Sequence, residues 1–316
     1  MSWLLSRVAE DAYWAARYLE RAEDTARIVR EYTNLIIDLP VAATSGWAPL
    51  LAILGQGPAP DPGETEVIEL LTLAPGNPSS IAQSASHARE NLRRCREIIP
   101  VEAWVAVNDL HLFIASNSRD GLDRRSRIRF LDHVIDEHQR LIGILAATMI
   151  RDSAFTLMRL GRHIERADMT TRLLDVRAGA LLADRPENQR AYDDHHWTGI
   201  LRALSAVQMF HRTCHEPLTA TAVVSFVLHT PTFPRSVVYC LRAAREGICA
   251  LPRTQLTIPA ADQALATLAA FDPAVATPRG MHQMADALQK SISHLHQLLE
   301  AAYFRHTPRR HDAASG

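Results

Sequence analysis

Two stretches carry residues that can do chemistry, and they are nearly the same stretch. ARYLERAEDTAR occupies 16–27 and GRHIERADMTTR occupies 161–172. Arg17, Glu20, Arg21, Ala22, Thr25 and Arg27 recur as Arg162, Glu165, Arg166, Ala167, Thr170 and Arg172, at a constant offset of 145 (162 − 17). Leu19 recurs as Ile164, and Glu23 as Asp168. Guanidinium groups grip carboxylates and phosphates through a planar fork. Carboxylates can pair with an ammonium group or act as a general base. The pattern suits holding a small carboxylate- or amine-bearing molecule. Glu20 and Glu165 are the candidate proton-moving groups. Arg17, Arg21, Glu23, Arg27, Arg162, Arg166, Asp168 and Arg172 are the candidate binding groups.

Three structural settings could account for the repeat. On a helical wheel of about 100° per residue, Arg17, Glu20, Asp24, Arg27 and Glu31 form one stripe. Leu19, Ala22, Ala26 and Val29 form the opposite one. A solvated charged face is the first setting, but such pairs contribute only ~0.3–0.5 kcal/mol each. That constrains residue identity weakly, whereas the charged identities outlasted the change of Tyr18 to His163 and of Ala16 to Gly161. A buried inter-helix network is the second, since breaking a buried pair costs roughly 3–5 kcal/mol. A polar pocket between the halves is the third. The first copy holds Arg17, Arg21 and Arg27 against Glu20 and Glu23, a surplus of cation that suggests an anionic guest.

Other chemistries fit less well. Glu20-x-x-Glu23 and Glu165-x-x-Asp168 bring carboxylates together, but the Glu-x-x-His element of di-metal bundles is missing and the arginines would repel a cation. His211-x-x-x-His215 and the DDHH stretch at 193–196 lack H-E-x-x-H chemistry, so neither a metal nor a cofactor is expected. Ser236 in FPRSV follows Arg235 rather than forming a nucleophile elbow, and the segment reads as a loop that starts a helix. Lys290 is the only lysine and lies in no glycine-rich loop, so ATP would be bound elsewhere.

The elements that must position these groups are helical throughout. Apolar residues at i, i+3, i+4 and i+7 predict a first helix from a Ser6 cap to Pro40. Further helices are predicted from Ser79 or Ser80 to Ile99, after Pro100, over 123–150 and 152–183, from Pro186 to His215, and over 279–304, with shorter ones between. Only Val223 to Leu228 has strand character, and a valine-rich helix looks the same at that length. The basic stretch 119–129 reads as a solvated turn, and the tail from 305 to 316 as disordered. The class is all-α, a multi-helix bundle of two related halves, about 1–150 and 151–304, around a pseudo-two-fold axis.

The 316 residues carry a net charge of −1, so no overall field favours nucleic acid or a membrane surface. The longest apolar run, 141–150, is far too short to span a bilayer. Four scattered cysteines without paired spacing suit a reducing, cytoplasmic setting.

Four separated motifs in order, YWAARYLERAEDTAR, ARENLRR with PVEAWVAVNDL, LGRHIERADMTTRLLDV and FPRSV, resemble the bacterial alpha-E family over about residues 3–304. The resemblance implies one all-helical domain over 1–304. It implies site roles for Arg89, Glu90 and Asn91, with Glu102, Trp104 and Asn108 in the same motif, and for Arg235 beside the two repeated motifs. Ala16 stands where the family more often has glycine, and MFHRTCHEP replaces a stretch where it tends to have tyrosines. The family is typically encoded beside a circularly permuted ATP-grasp protein, often with a transglutaminase-like protein. That neighbourhood implies an accessory or substrate-binding partner of a ligase that makes or modifies a small peptide or amide. A stand-alone acyl- or aminoacyl-transfer enzyme with a glutamate base, and a purely structural scaffold, are the alternatives.

Overall fold

The two motifs ride on the two longest helices, and these helices cross through the motifs. Helix α1 (Ser6–Asp38) has 33 residues and α8 (Ser153–Leu182) has 30. The computed structural model describes residues 4–40, 46–55, 62–182, 191–215 and 217–304. Every regular element among them is helical. Between α1 and α8 come α2 (Ala48–Ile53), α3 (Glu64–Thr72), α4 (Ile81–Arg94), α5 (Val101–Ser116), α6 (Ser118–Leu122) and α7 (Arg127–Thr148). After α8 come α9 (Asp193–Ala203), α10 (Val207–Thr213), α11 (Ala220–His229), α12 (Val237–Cys249), α13 (Thr257–Ala269) and α14 (Pro278–Leu299), which ends in a π turn, Glu300–Phe304.

Helix α1 packs on α4, α7, α8 and α9, and α8 packs on α1, α12 and α14. Both helices are therefore covered around most of their girth, which is why charged motif positions end up inside. One apolar cluster runs from Val8 on α1 to Phe304 beyond α14.

The crossing is close because one position has no side chain. A Cβ at Gly161 would overlap the backbone carbonyl oxygen of Tyr13 and lie 3.3 Å from Cγ of Arg17. Gly161→Ala is thus expected to lower stability by about 1–3 kcal/mol through overpacking, despite the roughly 1 kcal/mol that alanine gains over glycine in a helix. Thermal unfolding checks this; a melting temperature at or above wild type would mean that α1 and α8 can part freely.

Several boundaries differ from expectation for local reasons. Val223 to Leu228 is helical within α11, its first turn capped by the Thr219 hydroxyl. The segment expected to be one helix up to His215 is α9 and α10, parted at Ser205, whose φ is 51°; residues 183–190, with the expected start at Pro186, lie outside the described residues, as does the 305–316 tail. Ser6 opens α1 from inside, and Leu5 occupies the cap without a side-chain bond. The basic 119–129 stretch is not simply solvated. Arg127 is buried, donating to the carbonyls of Gly121 and Leu122 and to Glu64 at 2.8 Å.

Candidate functional site

The repeated Glu-Arg pairs exchange partners across the crossing. Arg21 of α1 donates to Glu165 of α8, from Nε at 2.5 Å and Nη2 at 3.1 Å. Reciprocally, Arg166 of α8 donates to Glu20 of α1 from Nε, and from Nη2 at 3.0 Å. Each copy of the motif thus supplies the glutamate for the other copy's arginine. Glu20 and Glu165 are fully shielded from solvent.

Each glutamate then takes a second guanidinium, and here the copies part. Glu165 accepts from Arg17 Nε at 2.6 Å. Glu20 accepts instead from Arg235 Nη1 at 3.4 Å. Arg235 also donates to Asp24 at 2.7 Å and to Glu23 at 2.7 Å. Glu23 is held further by Arg27, whose Nη1 reaches the Ser205 hydroxyl at 2.5 Å. The loop before α12 delivers Arg235, and the Ser236 hydroxyl fixes that loop by capping the helix through the Tyr239 N–H. On the other copy Asp168 accepts from Arg172 at 2.9 Å.

The electrostatics follow from this pairing. Burial alone would raise the Glu165 carboxyl, but Arg17 and Arg21 outweigh it and hold it down at about 2. Glu20 is likewise held below its ordinary value by Arg166 and Arg235 against the effect of burial. Burial, then Glu20 beside it, raises Asp24 above its ordinary value, against the pull of the Arg235 guanidinium that holds it as a carboxylate. Glu20 and Glu165 are thus ionised acceptors saturated by arginines, and a carboxylate so stabilised is a weak base. His138 of α7 completes the cluster. Its Nδ1 lies 3.1 Å from Glu23 without a well-directed hydrogen bond. Glu20, Glu23 and His138 could offer three metal-ligating atoms close together. The carboxylates are already bound to Arg166, Arg235 and Arg27, whose charges oppose a cation.

Because Arg235 has taken the place on Glu20, Arg162, the repeat of Arg17, has no carboxylate partner among the described residues. Its Nε is buried and lacks a hydrogen-bond partner. Burial first, then the nearby charge of Arg166, lower its pKa. Arg162 faces a cavity of about 450 Å³ between α1, α7 and α8. Leu19, Ile142, Leu145, Met149, Met158 and Phe155 supply its apolar wall, and the charged residues lining it are Arg151, Arg159 and Arg162. Arg151 and Arg159 stand over the Phe155 ring, at 3.9 and 6.0 Å from its centroid. Neighbouring His163 is kept neutral by burial and by Arg162, Arg166 and Arg159.

The structure therefore gathers Arg17, Glu20, Arg21, Glu23, Arg27, Glu165, Arg166 and Arg235 into one network, with Asp168 and Arg172 at its border and Arg162 at the cavity. Arg89, Glu90 and Asn91 are not part of it. Arg89 donates to Asn108 at 2.8 Å and lies over Trp104. Glu90 pairs with Arg93 and Arg94 on its own exposed helix face. The Asn91 carbonyl accepts from the Cys95 thiol. This middle motif joins α4 to α5 rather than serving the crossing. Sequence reasoning missed Ser205, His138, Arg151 and Arg159. Asp24 was visible on the charged stripe, whereas nothing in DEHQR marks His138.

The comparisons with known proteins fit this arrangement. Residues 4–304 match the model of a family described as a predicted alpha-helical domain with a conserved ER motif. The chain belongs to the Alpha-E family. Glu-Arg dipeptides occur in this chain at Glu20-Arg21 and Glu165-Arg166, which exchange ion pairs here. This Alpha-E chain is 25% identical over 280 residues to uncharacterized proteins of Mycobacterium bovis and Mycobacterium tuberculosis, covering 79% of the chain and 30% of each relative. It thus spans less than a third of the length of those relatives. No solved structure matches it. No helix among the described residues is long and apolar enough to cross a membrane.

Proposed function

We propose that this Alpha-E protein is the substrate-binding, accessory partner of an ATP-grasp ligase in the synthesis or modification of a small peptide or amide. The cavity between α1, α7 and α8 would hold the carboxylate-bearing substrate. One observation carries the reading: Arg162 is a half-buried arginine whose shielded Nε has no acceptor among the described residues, because Arg235 holds the place on Glu20, and it lines a cavity with two more arginines. A buried charge without a partner is costly, and a carboxylate guest would supply the missing acceptor bidentately. The cavity volume lies in the range of small-molecule sites, and its apolar wall suits an organic acid with a hydrophobic body. The glutamates of the motif hold arginines in place instead of moving protons. ATP and the acyl phosphate would belong to the ligase, consistent with a chain that has one lysine, Lys290, paired with Asp286 on an exposed helix face. The ligase itself, and a transglutaminase-like third component, come from the family resemblance.

The test is co-purification with the neighbouring ATP-grasp protein, mass spectrometry of bound small molecules, and a coupled assay of amide formation. An organic acid should accompany the wild-type protein and be absent from Arg162→Leu. Stability of that variant should be unchanged or higher by up to about 1–3 kcal/mol, because an unpaired buried donor is removed, while product formation falls by about tenfold or more. Full product formation by folded Arg162→Leu, or amide formation by the Alpha-E protein without the ligase, would sink the reading.

A further inference from the structure

The two copies of the motif are furnished unequally. Beside Glu20 the space between helices is filled by the Arg235 side chain, clamped by Glu20, Glu23 and Asp24. Beside Glu165 the matching space is a cavity of about 210 Å³. The match can be followed residue by residue. Helices α4 and α12 both start after Pro-x-Ser, in Pro78-Ser79-Ser80 and Pro234-Arg235-Ser236, and both serine hydroxyls cap their helix. Ser79 therefore stands where Arg235 stands. Helices α2 and α9 are both followed by a leucine and a residue of positive φ, Gly55 at 71° and Ser205 at 51°. Ser205 accepts from Arg27, while Gly55 lies under Arg172, the repeat of Arg27, where a Cβ would sit 3.1 Å from Nη1. Met169 stands where Asp24 stands, since 24 + 145 = 169.

The open copy thus lacks one cation, Arg235, and one anion, Asp24. What lines its cavity is two guanidiniums, Arg21 and Arg172, two carboxylates, Glu165 and Asp168, and the hydroxyl-bearing Ser79 and Thr25. Thr25 is fully buried and its hydroxyl has no hydrogen-bond partner among the described residues. Arg17 also sits on Glu165, so a lone cation would enter a cluster that already has a positive surplus. A lone anion would supply Asp24's charge while leaving Arg235's place empty and Asp168 facing a like charge. A guest with both charges restores what the filled copy has and leaves the net charge unchanged.

We propose that this cavity binds a standard L-α-amino acid as its zwitterion, the ammonium group against Asp168 in the place of the Arg235 guanidinium, and the carboxylate facing Arg21 and Arg172 in the place of Asp24. The room left by an absent arginine side chain limits the guest to about one residue. This site shares no lining residue with the arginine-lined cavity, and either can fail without the other.

The experiment is equilibrium dialysis of the purified protein against a mixture of the standard L-amino acids at neutral pH, with retained molecules quantified by mass spectrometry. One or a few should be retained. The decarboxylated amine and the 2-hydroxy acid of a retained amino acid should each bind about tenfold or more weakly, because each leaves a charged partner unanswered. Ser79→Arg combined with Met169→Asp rebuilds the filled copy and should abolish retention in a folded protein. If that variant does not fold, Ser79→Leu, which only obstructs the cavity, must abolish it. Retention of no amino acid by wild type, equal binding of the amine alone, or undiminished retention by a folded, obstructed variant overturns the proposal.

Discussion

Glu20→Gln is expected to destabilise the protein by about 3–5 kcal/mol, the cost of leaving buried cations without their counter-charge. The substitution keeps shape and removes charge. Arg166 then faces a neutral amide and the Pro234 carbonyl, at 3.2 Å, in place of its carboxylate, and Arg235 loses one of three carboxylates. Glu165→Gln should behave alike, because Arg17 and Arg21 both depend on that carboxylate. Glu90→Gln is the control. Its partners Arg93 and Arg94 are about half exposed, and such a change should stay within about ±0.5 kcal/mol. Chemical denaturation of the three variants measures this. A Glu20→Gln protein as stable as the Glu90→Gln one would mean that water reaches the crossing and that the network holds nothing together. Loss of stability without any effect on anion capture per folded molecule would place Glu20 wholly in the frame around the Arg162 cavity.

Much of this frame was legible in the sequence because it is written twice. The 145-residue offset, the amphipathic stripe and the surplus of arginine pointed to paired helices with a buried or pocket-lining charge face, and α1 and α8 do meet through it. The all-helical class followed from periodicity alone. What could not be read was which carboxylate each arginine takes. Arg17 and Arg162 are equivalent in sequence, yet one is bound to Glu165 and the other is left at a cavity. The difference is made by Arg235, more than sixty residues from the second motif, and no local pattern encodes that distance. The strand character of Val223 to Leu228 could not decide its structure, because a short run of valines has the same pattern in a strand as in a helix buried on most sides, and the segment is helical as the all-α class requires. The middle motif was grouped with the site by resemblance, but Arg89 and Trp104 turn out to tie α4 to α5.

The second large effect is expected at Arg235. Arg235→Ser copies the open half, and alone it should cost about 3–5 kcal/mol, because Glu20, Glu23 and Asp24 are then three buried carboxylates short of a cation. Asp24, which burial and Glu20 already raise against the pull of Arg235, would be the first to take a proton. Asp24→Met should offset part of the loss, since Met169 shows what the other copy carries opposite Ser79. The coupling between the two substitutions should be about 1–3 kcal/mol in favour of the double variant, the size found for residues in one buried network. The double variant has a further consequence. With Arg235 gone, Glu20 is free to accept from Arg162 as Glu165 accepts from Arg17, so the arginine-lined cavity should lose its anion affinity while a second space opens beside Glu20. Denaturation midpoints of the two single variants and the double variant, together with anion capture by each, test both halves of this. Strictly additive stabilities would mean that Arg235 and Asp24 do not act as a pair. Unchanged anion capture by the double variant would mean that Arg162 owes its freedom to something other than Arg235.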